Sequence, residues 1–542
     1  MGAEDVGGPE STLLPPTTRT GVTRRALTGS AVTVSVGTMG SKLLGLVRDV
    51  VLGDRFASAA TGPFIIAAQL PLTVFAAVLA SITTVFIPTF AELRASGDEV
   101  GAERFAANIN GVATATVALL VLLLELLAGP VVHAMTPSTW SAHDVGVTIA
   151  MVRIMAPLIL FYAWSSVSGG VLNTHGWFGP NAAMGIPQNL VIIGSILIGS
   201  LWWGGIRMVA LGSLVGTSLT FLIQVPALRR LRFHFRWRLD LRDPLLHRVA
   251  KLVGPAALVA LAGQAAILVD RRLAAGLGVQ IVKDLTFALR LQGFAYGVLG
   301  YSVATVLYPR LAEAAVDADP RRMRMVISQG IGMVNFVTLP TMLGLFVLRR
   351  AALHAIFQHG AFSAQDTADA AWALSFFALG TLSYAWSDYL SKSFFALRDT
   401  RTPMLANLSG VVVTVILDLL LVGPMKQGGL ALGTASGWSC AALFLALRLH
   451  RKTGALDLRW IIPRVLHMFA VALVAVLTAQ AIFDVIAPWA HGSIAYAASL
   501  ALAALCGAAL YVGLAAVTGI PETAFLGVLF QAVWRRVGGN RS

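Results

Sequence analysis

A chain of 542 residues with 57 % hydrophobic and only 12 % charged side chains cannot hide its apolar surface in water, because soluble domains run near about 45–50 % and about 25 %. Its mean hydropathy of +0.77 places most of it in lipid and excludes a disordered chain, a disulfide scaffold and a secreted enzyme. The net charge of +14 (40 basic against 26 acidic) lies between apolar spans, which is the positive-inside arrangement and not a nucleic-acid surface.

In chain order, residues 1–25 are rich in Gly, Pro and Thr and read as a disordered cytoplasmic tail. Fourteen stretches long enough to cross a bilayer follow, near 28–53, 62–91, 106–134, 146–172, 179–202, 207–228, 250–275, 284–312, 326–348, 368–395, 403–424, 429–447, 461–486 and 493–518. They group as an N-lobe (26–230), a basic cytoplasmic linker (231–249), a C-lobe (250–450) and two final spans within 451–520, ending in a cytoplasmic tail (521–542). The expected fold is therefore an all-α integral membrane protein with fourteen transmembrane helices. Arg229, Arg230, Arg232, Arg236, Arg238, Arg242 and Arg248 fill the connection after the sixth span, whereas 135–145 and 487–492 contain no Lys or Arg. This alternation predicts that both termini are cytoplasmic. Cys440 and Cys506 lie inside apolar runs and form no metal or disulfide framework.

The two lobes are read as a duplication. Tyr162-Ala163-Trp164-Ser165 recurs as Tyr384-Ala385-Trp386-Ser387. Ala210-Leu211-Gly212 with Gly216 recurs as Ala431-Leu432-Gly433 with Gly437, and Pro88, Ala91 and Glu92 recur as Pro309, Ala312 and Glu313. Repeats of this kind in transporters put the substrate between the halves, near the midplane. The paired G-x-x-x-G motifs are read as close helix packing.

Walker A, zinc, H-E-x-x-H and G-x-S-x-G patterns do not occur, so nothing supports ATP hydrolysis or covalent catalysis. The informative residues are charges inside spans, each of which costs about 2.5–3.5 kcal/mol at a helix centre. Lys42 and Arg48, six residues apart, share one broad helix face, and Arg290 lies in the other lobe. Together they predict a cationic cavity suited to a phosphate, which arginine binds bidentately. Asp49 beside Arg48 and Arg271 beside Asp270 read equally as supporting ion pairs. Lys283 and Asp284 are expected to snorkel at an interface, and Lys392, near Asp388, to be a positive-inside charge. Asp270, Asp418 and Thr434 offer the oxygen ligands of a hard cation such as sodium, against the alternative that Arg271 or Arg272 neutralises Asp270. Glu125 stands alone in the third span without an account.

Three stretches resemble the MurJ/MviN family, the lipid II flippases of bacterial cell-wall synthesis. Ser41-Lys42-Leu43-Leu44-Gly45-Leu46-Val47-Arg48-Asp49 is similar to that family's first-helix motif. Gly360-Ala361-Phe362 with Asp366-Thr367 resembles its outer loop, and Ala396-Leu397-Arg398-Asp399-Thr400-Arg401-Thr402-Pro403 resembles a cytoplasmic connection. The resemblance implies two lobes working by alternating access in the plasma membrane, with lipid II moved from the inner to the outer leaflet. It implies substrate contact by Lys42, Arg48 and Arg290, and a sodium site at Asp270, Asp418 and Thr434, with Thr414 where an amide is expected. Gly62-Pro63-Phe64 and Leu70-Pro71-Leu72 depart from the family pattern, which puts a gate built there in question. Competing readings are a flippase for another polyprenyl-linked glycan, an antiporter of the same multidrug/oligosaccharidyl-lipid/polysaccharide exporter superfamily, and a non-transporting scaffold binding wall-synthesis proteins. An enzyme is not expected, and no cofactor beyond sodium is implied.

Overall fold

The computed structural model describes residues 24–81, 86–202, 204–231, 233, 237–316, 320–454 and 458–523. The expected terminal tails lie outside these residues, except for 24–25 and 521–523. The described residues form helices joined by short connections, without strands.

The N-lobe comprises α1 (Arg24–Arg55), α2 (Ser58–Ser81), α3 (Ile87–Ala95), α4 (Glu99–Met135), α5 (Ala142–Met155), α6 (Leu158–Thr174), α7 (Gly179–Ala183), α8 (Gly185–Leu201), α9 (Ile206–Leu222) and α10 (Val225–Arg230). The C-lobe comprises α11 (Pro244–Leu277), α12 (Val279–Val316), α13 (Pro320–Val347), α14 (Arg349–Phe357), α15 (Ala364–Ala396), α16 (Arg401–Met425) and α17 (Gln427–Thr453). Helices α18 (Leu458–Ile486) and α19 (Ser493–Val517) follow and pack on α13 through Met468, Ala472, Ala475 and Tyr511. Among the described residues each expected apolar stretch falls on helix, with 82–85 of the second lying outside them, but several are broken. The fourth divides at Ala156–Pro157, where the ring lacks a donor for the ladder, and the fifth divides at Met184.

Among the described residues, ten helical stretches are long and apolar enough to cross a membrane. Four further helices of 32–38 residues, α1, α11, α12 and α15, have the length and carry charges. Those four bear most of the candidate site residues.

Local chemistry sets the helix ends. Asp98 and Ser141 cap α4 and α5, accepting from Gly101 N (2.8 Å) and Asp144 N (3.1 Å). Asp399 fixes the start of α16 by accepting from Thr402 N (3.1 Å), Thr402 Oγ1 (2.9 Å) and Lys452 Nζ (3.1 Å). Slight burial pushes the Asp399 carboxyl up, and these three donors outweigh it and hold it below the ordinary carboxylate range. The G-x-x-x-G motifs sit at close helix approaches: a Cβ on Gly216 would lie 2.8 Å from the Gln188 carbonyl oxygen, and one on Gly437 2.6 Å from that of Gly410.

The hydrophobic core is asymmetric along the bundle. At the end carrying connections 136–141 and 278, one cluster joins both lobes, running from Leu52 and Ile66 to Val282, Phe287 and Phe362. Toward the basic-rich end the clusters separate. One around Phe86, Phe90 and Phe105 is built from N-lobe residues, and another around Tyr296, Leu311 and Leu445 from the C-lobe. Among the described residues, the lobes are sealed together at one end and packed independently at the other.

Candidate functional site

Asp49 on α1 is the centre of the first candidate site. It is 4 % exposed, and its Oδ1 accepts from Arg48 Nε (3.1 Å) and Nη2 (3.0 Å) and from Arg290 Nη1 across the lobe boundary. One buried carboxylate therefore holds a guanidinium from each lobe. Arg48 Nη1 reaches Asn189 Oδ1 on α8 at 3.1 Å. Asn189 is anchored in turn by its amide, which donates to Gly185 O (2.8 Å) and Ser41 O (3.2 Å). Lys42 Nζ donates to Gly297 O on α12 at 3.3 Å, so the third expected cation also touches the opposite lobe. Arg48, Asp49 and Arg290 line a cavity of about 170 Å³ with Tyr162 and Gln188.

A second cavity, of about 790 Å³, lies mainly in the C-lobe. Asp270, Arg271, Thr414, Thr434, Tyr384, Asp388 and Trp438 line it. Arg271 directs Nη1 to Thr286 Oγ1 at 2.7 Å. Asp388 accepts from Tyr296 OH (2.7 Å) and Lys392 Nζ (2.9 Å). Lys392, read from sequence as an interfacial charge, is thus the partner of a cavity-wall acid. Asp418 on α16 is fully buried, and neither of its carboxylate oxygens has a hydrogen-bond partner among the described residues. Helix α16 packs on α11, which carries Asp270, and on α17, where the Asp418 carboxylate faces Gly433, the chain neighbour of Thr434. Carboxylate and hydroxyl oxygens are the ligands a hard cation takes. Groups of three or more His, Cys, Asp or Glu that could hold a metal do not occur among the described residues.

The sealed end explains the outer-loop motif and corrects one expectation. Lys283 and Asp284 do not snorkel; both are 0 % exposed. Lys283 Nζ pairs with Asp366 Oδ2 at 2.9 Å and lies 4.4 Å from the centre of the Phe362 ring. Asp366 also accepts from Ser363 N (2.7 Å) to cap α15, and from Ser58 Oγ of the N-lobe at 3.4 Å. Lys283, seven residues from Arg290, is buried because Asp366 of α15 meets it, which no single helix reveals; Asp284 Oδ1 lies 3.9 Å from the same Lys283 Nζ. Ala361 N donates to Asp54 O at 2.8 Å, and Gly360 makes this turn at φ +52°, where a side chain would be strained. Gly62 likewise permits close approach: a Cβ there would lie 2.6 Å from Val279 Cγ1 and 2.7 Å from its carbonyl oxygen. At Gly62, where the sequence departs from the family pattern, the chain brings the two lobes into direct contact.

Sequence reasoning paired Arg48 with Asp49 and placed Arg290 opposite them, but it missed Asn189, Tyr384 as a cavity wall, and Trp438. A lone Asn in an apolar helix forms no pattern. The duplicated Tyr-Ala-Trp-Ser was the available signal for Tyr384.

Comparison with known proteins fits this arrangement. The family model described as lipid II flippase MurJ matches residues 53–528. The probable lipid II flippase MurJ of Vibrio cholerae serotype O1 is 27 % identical over 430 residues, 76 % of this chain and 80 % of that protein. The lipid II flippase MurJ of Burkholderia cenocepacia is 27 % identical, covering 78 % of this chain and 83 % of its own. Among solved structures, a lipid II flippase MurJ in an inward closed conformation superposes with a TM-score of 0.76 at 20 % identity, covering 90 % of this chain and 98 % of the other. An inward-facing multidrug-resistance transporter of the MATE family gives a TM-score of 0.65 at 15 % identity, covering 79 % and 98 %. These structural likenesses concern the fold.

Proposed function

This chain belongs to the lipid II flippase MurJ family, and on that premise we propose that it carries lipid II, the lipid-linked peptidoglycan precursor, from the inner to the outer leaflet by alternating access. The observation that carries the reading is the bridge at Asp49. Two guanidiniums from opposite lobes converge on one buried carboxylate beside a cavity. A scaffold has no need to tolerate such charges in lipid.

The bridge suits a transport cycle. A pyrophosphate offers two guanidiniums more oxygens than Asp49 does, and charge-assisted bidentate bonds are the strong ones. Substrate therefore draws Arg48 and Arg290 onto itself. When substrate leaves, Asp49 takes them back, so the empty carrier returns without bare cations in a low dielectric. Asn189 holds Arg48 in place through the exchange.

In this reading the helices make fourteen crossings with both termini cytoplasmic, and the sealed end faces outward. The conformation is then open toward the inner leaflet, where the lobes pack independently. Asp270, Asp418 and Thr434 would hold a sodium ion, whose charge would offset the two acids. Wall-synthesis proteins remain candidate partners on the same footing.

The test is reconstitution of the purified protein in vesicles carrying lipid II, with exposure of the headgroup on the far leaflet as readout. Transfer by the wild type and its loss in Arg48→Gln support the reading. Equal transfer by empty vesicles and protein-containing vesicles would sink it.

A further inference from the structure

We propose that the C-lobe cavity walled by Tyr384 and Trp438 seats a pyranose ring of the carried glycan, separate from the cationic pocket that takes the pyrophosphate. This inference rests on the flippase reading.

It starts from the duplicated Tyr-Ala-Trp-Ser. The two tryptophans are structural: Trp164 Nε1 donates to Thr114 Oγ1 (2.9 Å) and Trp386 Nε1 to Asn335 Oδ1 (2.8 Å). The two tyrosines line the two cavities and differ in their surroundings. Tyr162 is stacked on Phe75 at 5.2 Å, and its hydroxyl accepts from Gln188 Nε2 at 3.0 Å. Tyr384 is 38 % exposed, and its ring centre lies 4.9 Å from that of Trp438, with the planes 54° apart. Tyr296 packs edge-on against Tyr384 at 4.8 Å, so the rings touch one another and form a continuous aromatic wall of a cavity of about 790 Å³, within the range that holds a drug-sized ligand.

The wall chemistry selects the occupant. Ser387, Asp388, Ser391 and Asn407 lie beside the two rings, so a hydrocarbon tail would leave polar groups desolvated without partners. Asp270 and Arg271 balance in formal charge and Asp388 is paired with Lys392 at 2.9 Å, so this cavity has no surplus cation to attract an anion. The smaller cavity has one, Arg48 and Arg290 against Asp49, or +1. A neutral polyhydroxylated ring meets both demands of the larger cavity. Its C–H face packs on the negative face of an aromatic ring, and its rim hydroxyls bond serine, aspartate and asparagine.

The two cavities are neighbours. Ala68 and Leu72 of α2 line the smaller one and Gln69 the larger; on α12, Arg290 lines the smaller and Leu289 the larger. They are therefore separated by about one helix diameter, about 10 Å. One head group can place its pyrophosphate in the first and an attached sugar in the second.

The experiment measures equilibrium binding of full-length protein in nanodiscs to two probes: a polyprenyl pyrophosphate, and the same lipid bearing a peptide-free disaccharide. We expect the wild type to bind the sugar-bearing probe more tightly. Trp438→Leu and Tyr384→Leu should each weaken that probe about fivefold and leave the bare lipid unchanged, whereas Trp438→Phe and Tyr384→Phe keep most of the affinity. Arg48→Gln should weaken both probes. Equal losses for both probes in the leucine variants, or no loss, would overturn the sugar seat and leave the flippase reading standing. A preference that emerges only when a peptide is attached to the sugar would also overturn it. Failure of the wild type to bind either lipid would overturn both readings. If a leucine variant fails to fold, the phenylalanine variants decide, because equal weakening of both probes by them contradicts the proposal.

Discussion

Each of the two cavities is lined by the tyrosine of one recurring Tyr-Ala-Trp-Ser, and their chemistry differs. On the N-lobe side the space is small, and its charges converge on one another across the lobes, through Asp49. On the C-lobe side the space is larger, and its charges are settled within the lobe: Arg271 against Thr286, Asp388 against Tyr296 and Lys392. The recurring motif puts one tyrosine in each cavity, while the charges around the two differ. The comparison teaches that a polar cluster spanning two rigid bodies is coupled to their movement, whereas one confined to a single body is not.

The largest test of this difference is the removal of the acids. Asp49→Ala takes the shared partner from two guanidiniums at once, one in each lobe; their side chains are 26 % and 35 % exposed, so the loss falls below the about 3–5 kcal/mol of a fully buried pair. Asp388→Ala removes the acid partner of one cation, Lys392, within a single lobe. We expect Asp49→Ala to lower thermal stability in detergent more than Asp388→Ala. Equal losses would mean that the bridge is no more than another wall pair.

The arginines should behave differently from their acid. In Arg48→Gln, Asp49 keeps Arg290, so the protein should fold, yet a charge-assisted bond to substrate worth about 1.5–3 kcal/mol is lost. Flipping should fall about tenfold or more, and Arg48→Lys should restore only part of it because the ammonium lacks the planar fork. Arg290→Gln should match it from the other lobe. Adding Asp49→Ala to Arg48→Ala should not rescue flipping, because Arg290 is then left without its partner; full activity in that double variant would show the site to be structural.

A third test addresses the C-lobe alone. If Asp418 and Asp270 hold sodium, replacing potassium with sodium should raise the stability of the wild type, by about 1.4 kcal/mol when sodium is tenfold above its dissociation constant. Asp418→Asn should abolish that response and leave binding at Arg48 intact. A wild-type melting curve indifferent to the cation would remove the site.

Much of the fold was legible because apolar runs of bilayer length are hard to mistake, and every expected stretch is helical among the described residues. The breaks were not, since Met184 interrupts a helix without any breaker of its own. Within the site, Arg48, Asp49 and Arg290 stood out through the cost of charge in lipid. Asp366 did not, because its contact with Lys283 joins positions 83 residues apart and exists only once α12 and α15 are packed. Trp438 lay beside Gly437 in a motif already explained by helix packing. Residues whose role depends on a partner in another helix stay hidden unless their own burial is costly.

The smallest expected effect concerns Asn189, and it separates holding from mere packing. Asn189 gives Arg48 its third contact, while Asp49 supplies the other two. Asn189→Leu removes one acceptor from a guanidinium that remains ion-paired, a net loss of about 0.5–1.5 kcal/mol. Flipping should drop about two- to tenfold, with folding close to that of the wild type. Asn189→Asp has nearly the same shape and adds a second acid beside Arg48. If Asn189 only fills space and satisfies backbone carbonyls, the aspartate loses the amide donors that reach Gly185 O and Ser41 O, so stability falls and affinity for the pyrophosphate lipid stays unchanged. If Asn189 positions Arg48 for an incoming anion, the new carboxylate competes with that anion for the guanidinium. Affinity for the pyrophosphate lipid then falls further than in Asn189→Leu. Binding and melting measured together on both variants distinguish the cases, because an affinity order of wild type, then Asn189→Leu, then Asn189→Asp follows only from competition for Arg48.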